Sequence, residues 1–313
     1  MTAIHSDLRP GGPSSGRAYE IALSLRPLLT ATLGPEARPA LENALRAIDK
    51  RLEPGGLGQP GFERLGDLFD IDAVISFSSA WDYWANAKEC LARDAKAPPL
   101  DQELFHGRHA GATRYFEGID RLARGNAHAI ADWVLQQGVR ATALLDLGAG
   151  TGVYAMAFLQ VGAASHVMCV DYPFVVRSVA HRSAPGISWV SADVECPGVY
   201  APPRSIDALW ISNLLHHYSA ADCVRILSAC RPFLRDHARV FVHEYCLDGD
   251  DTQQLAAGIL GLHFALTTGG GRCYTRRELQ TIVSGALGEH GIRNELPLLN
   301  ATVLEFERGV RRE

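Results

Sequence analysis

No stretch of the 313-residue chain is apolar for long enough to cross a bilayer, and no signal-peptide pattern opens it. A soluble, cytoplasmic protein is therefore expected. Basic blocks are also missing: 30 Lys and Arg stand against 35 Asp and Glu, a net charge of −5. Gripping nucleic-acid phosphates demands a Lys/Arg stripe, so neither nucleic acid nor membrane is expected as a partner. The seven cysteines are Cys90, Cys169, Cys196, Cys223, Cys230, Cys246 and Cys273, an odd number with no C-x-x-C pair. This argues against a zinc knuckle and a disulfide framework, and leaves cysteine as a small apolar residue. No internal repeat is present.

Hydrophobic residues make up 47% of the chain, enough for a sizeable core, and the length predicts two domains. Residues 1–16 are rich in Gly, Pro and Ser and are expected to be disordered. Residues 17–52 carry helical apolar spacing, interrupted by Pro35 and Pro39, and a Pro/Gly loop follows at 54–61. Helix-like runs continue to about 136, with an aromatic cluster at Phe77, Trp81, Tyr83 and Trp84 that reads as core or dimer packing. From about residue 140, strands alternate with helices, the pattern of a parallel α/β sheet. The expected division is 1–16, a helical N-terminal dimerisation or lid domain over 17–125, and a cofactor-binding domain over 126–313.

Within the second domain, the run Ala143-Leu144-Leu145 ends at Asp146 and opens into Gly148, Gly150 and Gly152. Glycines placed directly after a strand allow a sharp turn and close approach of a ligand to the backbone. The next helix then presents its free N–H groups to that ligand. The dinucleotide fingerprint would need glycine at 153, but that residue is Val153. Asp146 stands just before the loop, where a carboxylate can pair with a cationic end of a ligand. Further strands are expected at 166–170, 187–190, 208–211 and 240–242, with two more over 292–308. The second and third lead to Asp171 and Asp193. Asp171 lies where an acid takes both hydroxyls of a ribose, with helix capping ahead of Pro173 as its alternative role. Ser219 is expected to cap a helix running to about Leu234, residues 252–266 to form an extra helix, and Thr275 to Glu278 to form a capping box.

The pattern D-x-G-x-G-x-G resembles the first motif of class I S-adenosylmethionine-dependent methyltransferases. Asn213-Leu214-Leu215-His216-His217-Tyr218, followed by Asp222-Cys223, resembles the L-H-x-W signature of small-molecule O-methyltransferases of the hydroxyindole and caffeate type. Gly269-Gly270-Gly271-Arg272 resembles that family's G-G-[KR] loop. The resemblance spans roughly residues 115–313. It implies an α/β fold with a Rossmann-like seven-stranded methyltransferase sheet and a helical N-terminal domain. It also implies S-adenosylmethionine held by Asp146, Gly148, Gly150, Gly152, Asp171, Asp193, Val194 and Asn213. His216 falls on the catalytic histidine position and Glu244 on the glutamate that orients it. A neutral imidazole suits proton removal near neutral pH, and a carboxylate behind it selects the tautomer. His217, His263 and Arg272 are the expected substrate-binding residues, and a homodimer through the N-terminal helices is the expected assembly.

Some residues depart from the pattern. Tyr218 stands for the usual Trp, His217 for a frequent Asp, and Cys273 lies nearest to a second family glutamate. His243 precedes Glu244, and no winged-helix pattern is evident near the N-terminus. The expected function is methyl transfer to an oxygen of a small metabolite, in secondary metabolism. Two alternatives stay open: His216, Glu244 and His263 as a two-histidine, one-carboxylate metal site for C-methylation of a 2-oxo acid, or a non-catalytic cofactor-binding protein.

Overall fold

The computed structural model describes residues 100–182, 184–195, 201–249 and 251–309. The expected disorder of 1–16, the helices of 17–52, the loop at 54–61 and the aromatic cluster lie outside the described residues. Two helices come first, α1 (Leu100–Phe105) and α2 (Ala112–Gln136). They lead into β1 (Leu144–Leu147), α3 (Val153–Val161), β2 (Val167–Asp171), α4 (Pro173–Val179), β3 (Ile187–Ser191) and β4 (Ile206–Ser212). Then follow α5 (Ala220–Cys230), β5 (Leu234–Glu244), α6 (Asp251–Thr267), α7 (Arg276–Leu287), β6 (His290–Pro297) and β7 (Thr302–Arg308). Helix α2 runs unbroken through the 125/126 boundary.

The strands form one seven-stranded sheet in the order β3-β2-β1-β4-β5-β7-β6. The first five are parallel, and β7 pairs antiparallel with β5 and with β6. All four residues of β1 are buried, as expected of a strand covered on both faces. Strand alternation divides its side chains. Leu145 and Leu147 join a cluster with Ile226, Leu227, Leu279 and Val283 of α5 and α7. Leu144 joins one with Ile130, Val134 and Phe158 of α2 and α3. Helices therefore cover both faces of the sheet, and the order reverses next to β1, where the strand ends open a crevice for a ligand.

Local signals set most boundaries. Ser219 Oγ accepts from the Asp222 N–H and starts α5. The expected extension of this helix to Leu234 fails: it stops at Cys230, and a 3₁₀ turn over Arg231–Phe233 carries Pro232. Proline has no N–H to continue the helical ladder. Strand β5 is far longer than the expected 240–242, because its polar first half pairs at Leu234 with Ile206 across a register shift. The Thr275/Glu278 capping box forms with both reciprocal bonds.

Candidate active site

The glycine loop sits at the crevice. Gly148, Gly150 and Gly152 all have left-handed φ, at 72°, 54° and 73°. A Cβ on Gly152 would lie 2.9 Å from the Trp189 ring, so this glycine lets α3 start against β3. A Cβ on Gly150 would meet no protein atom within 4 Å, and Gly150 lines the cavity. Its side of the loop is open to a ligand. The loop is tied down by the N–H groups of Gly148 and Ala149, which both donate to the Val170 carbonyl at the end of β2.

The cavity encloses about 250 Å³. Asp146, Gly148, Gly150, Asp171, Val194 and Asn213 line it, whereas Gly152 and Asp193 do not. The Asp193 Oδ1 accepts from the N–H of Glu195. Asp146 is almost fully buried, and its Oδ2 has no hydrogen-bond partner. Burial, then the charge of Asp171, pushes its carboxyl up to about 8. Asp171 is also pushed up by burial, to about 7, although the N–H groups of Gly150 and Tyr172 oppose this, each at 2.7 Å. Asn213, just past β4, has φ 51° and a buried Oδ1 without a partner. A positive φ is an uncommon conformation for a residue with a side chain, and asparagine tolerates it best.

His216 and His217 lie on a 3₁₀ turn (Leu215–His217) between β4 and α5. His216 Nδ1 is 2.6 Å from Glu244 Oε2, and both side chains are buried. Glu244 Oε1 accepts from the N–H groups of Leu214 and Leu215, at 3.0 and 2.8 Å. One carboxylate at the end of β5 thus holds both the turn and the ring. Burial opposes its charge, but His216 and the Leu215 N–H outweigh that and hold its proton affinity below the ordinary value. With Nδ1–H donating to Glu244, the lone pair of His216 is on Nε2. Phe264 from α6 stacks on the His216 ring at 4.0 Å and 14°. Behind the turn, a Cβ on Gly271 would collide with the His216 carbonyl oxygen, so the glycine-rich loop seats directly against it.

His217 and His263 also line the cavity. Burial, then His217 and His216, holds the His263 imidazole down to about 3, so it is neutral. Arg272 does not line the cavity. It donates to Glu278 Oε1 at 2.7 Å and lies over the Tyr274 ring, where it braces the capping box of α7. Cys273 is buried in a cluster with Leu247, Ala257 and Phe264, and puts no second carboxylate into the site. Among the described residues no three His, Cys, Asp or Glu side chains come together as a metal-ligand set. Glu244 Oε1 accepts from two backbone N–H groups and its Oε2 faces the Nδ1 of His216, so the two side chains form a hydrogen-bonded dyad. Sequence reasoning did not single out Asp101, Phe105, Tyr115 or Phe264. Phe264 adjoins His263 in the chain, but its stack on His216 depends on where α6 lies.

Residues 125–288, more than half of the chain, match the family model of the O-methyltransferase domain. The chain belongs to that family. This O-methyltransferase domain is 24% identical over 200 residues to 3-hydroxy-5-methyl-1-naphthoate 3-O-methyltransferase of Streptomyces sahachiroi, covering 62% of this chain and 57% of that protein. The chain spans about half the length of the curated relatives it matches. The mitomycin 7-O-methyltransferase MmcR shares the fold at a TM-score of 0.63, with 16% identity and 95% of each chain covered. Human N-acetylserotonin methyltransferase in complex with SAM shares it at 0.58, with 17% identity, over 73% of this chain and 67% of that one.

Family membership makes this an S-adenosylmethionine-dependent methyltransferase domain, and the residues fit the cofactor. The unpartnered Asp146 oxygen is a buried acceptor suited to an ammonium group. The Gly150 face of the loop leaves room against the backbone. No helix among the described residues is long and apolar enough to cross a membrane.

Proposed function

We propose that the protein transfers the methyl group of S-adenosylmethionine to a hydroxyl oxygen of a small molecule, with His216 as general base. The observation that carries this is the His216–Glu244 pair at 2.6 Å, buried, with the histidine on the wall of the cavity that Gly150 opens. When bound, the cofactor supplies an electrophilic methyl on a sulfonium, so no covalent intermediate on the protein is needed. Nε2 of His216 takes the hydroxyl proton as the oxygen attacks, and Glu244 stabilises the imidazolium that forms. Phe264, stacked on His216, fixes the ring plane and excludes water. Asp146 and Asp171 anchor the cofactor, and the aromatic wall of Phe105, Tyr115 and Phe264 faces the acceptor. His263, neutral and on the same wall, contributes shape and a hydrogen bond to acceptor binding. Assembly as a homodimer through the N-terminal helices belongs to this reading.

The test is transfer of labelled methyl from S-adenosylmethionine to phenol, pyrocatechol and hydroxynaphthoate probes, with product and S-adenosylhomocysteine measured together. Turnover that survives chelation, and a His263→Ala variant that raises KM while keeping kcat within about tenfold, are expected. Methylated carbon instead of oxygen, or loss of turnover on chelation, overturns the general-base reading. Light scattering decides the assembly, and a monomer at micromolar concentration rejects the dimer.

A further inference from the structure

His216 is not the only imidazole at the site with a carboxyl group behind it. His217 is buried, lines the same cavity, and faces Asp101 of α1, whose Oδ2 lies 3.5 Å from its Nδ1. Asp101 Oδ1 is occupied by the N–H of Gln102 at 2.8 Å, which leaves Oδ2 for the histidine. Nδ1 of His217 makes no hydrogen bond in this structure. A buried ring nitrogen without a partner is costly, and hydrogen bonds of catalytic groups are often long before ligand binding and tighten with it. The ring is held edge-on by Phe105 at 4.9 Å and by Phe264 at 5.0 Å. The same short helix thus supplies one aromatic clamp and the carboxyl group.

The two imidazole centroids are 4.5 Å apart. Burial, then His216, lowers the proton affinity of His217, while Asp101 and Glu244 act in the other direction. The ring then carries a single N–H, and the group best placed to accept it is Asp101. That tautomer leaves Nε2 as a lone-pair acceptor. Asp101 lies outside the matched residues 125–288, so this carboxyl comes from the segment ahead of the O-methyltransferase domain.

We propose that Asp101 is a positioning residue: it accepts the Nδ1–H of His217, and so presents Nε2 of His217 to a second hydrogen-bond donor of the methyl acceptor, beside the hydroxyl held at His216. This rests on the methyl-transfer reading for the identity of the acceptor site. It makes the preferred acceptor a molecule with two neighbouring donor groups. A single hydroxyl would satisfy His216 and leave His217 unpaired.

The test uses the full chain labelled with ¹⁵N-histidine, saturated with S-adenosylhomocysteine, and long-range ¹H–¹⁵N spectra assigned with a His217→Asn variant. In the unmodified protein His217 is expected protonated at Nδ1 and bare at Nε2. Asp101→Asn, which turns an acceptor into a possible donor, should shift it to the Nε2–H tautomer, and Asp101→Glu should restore the original. Pyrocatechol should move the Nε2 resonance of His217, whereas phenol should move His216 alone. Asp101→Asn should weaken pyrocatechol binding about tenfold and phenol binding by no more than about twofold. An Nε2–H tautomer of His217 in the unmodified protein overturns the proposal. So does a tautomer unchanged in Asp101→Asn, or a His217 response that fails to distinguish the two probes. Failure of methyl transfer with these spectra as expected would count against the proposed reaction and leave the Asp101–His217 pairing standing.

Discussion

The N–H of Gly150 donates to Oδ2 of Asp171 at 2.7 Å, so the tip of the glycine loop and the end of β2 are joined by a hydrogen bond. Asp171 Oδ1 accepts from the Tyr172 N–H, which fixes the carboxyl plane. Each oxygen keeps a further lone pair. The loop is therefore preorganised, and the carboxylate can still accept from ribose hydroxyls without giving up the bonds that shape the loop.

Gly150 and Gly152 are expected to fail in different ways. Each alanine carries a left-handed φ, a strain of about 1–2 kcal/mol. At Gly152 the new Cβ also meets Trp189 at 2.9 Å, so Gly152→Ala should lower the melting temperature most. At Gly150 the new Cβ meets no protein and enters the ligand space, so Gly150→Ala should weaken S-adenosylmethionine binding well beyond its effect on folding. Calorimetric titration and thermal unfolding of both variants check this. Equal effects in both assays would show that the open side of the loop does not face the cofactor.

Glu244→Gln should leave a folded protein with low turnover. The amide oxygen can still accept from Leu214 and Leu215, so the turn is kept. The amide N–H₂ then faces Nδ1 of His216 and forces the proton onto Nε2, which removes the base. The expected loss in kcat is roughly 10²–10⁴, with cofactor affinity unchanged. Single-turnover kinetics beside circular dichroism measure it, and kcat within a few-fold of normal contradicts the assigned role.

The pH dependence of stability should come from Asp146 and Asp171. Their folded proton affinities are raised, to about 8 and about 7, above the ordinary aspartate value of 3.8. Their contribution to stability is thus full below pH 3.8 and is lost as pH rises through 7 and 8. His243 and His263 are lowered to about 4 and about 3, so they raise stability with pH only up to their ordinary value of 6.5. Above pH 6.5 the carboxyl groups dominate. The ligand-free protein should melt at a lower temperature at pH 8.5 than at 6.5, and Asp146→Asn should reduce that difference. An identical pH slope in the variant removes Asp146 as the cause.

Arg272→Ala should act on stability and spare acceptor binding. The guanidinium is partly buried between Glu278 and the Tyr274 ring. Losing both contacts is expected to cost about 1 kcal/mol. KM for whichever acceptor is turned over should stay within about twofold, which corresponds to less than a typical hydrogen bond. A large rise in KM without a loss of stability would return Arg272 to the acceptor site.

The amino-acid sequence by itself determined the parts whose physics is local. An apolar run ending at Asp146, glycines at 148, 150 and 152, and strands alternating with helices already specify a parallel sheet with a ligand loop after β1. The Ser219 cap and the Thr275/Glu278 box are legible for the same reason: each bond spans three residues. The full length of β5 was not legible, because its polar half is a strand only through pairing with β4. Which of the nominated residues share a site was settled by packing. His216 and Glu244 meet because parallel β4 and β5 end side by side. Arg272, nominated from a short motif, is drawn instead to the capping box of the next helix. Asp101 has no motif around it, and it reaches His217 only because α1 packs its Phe105 beside that turn. Local propensity acts over a few residues, whereas a site assembled from strand ends and a distant helix depends on the tertiary contacts that bring them together.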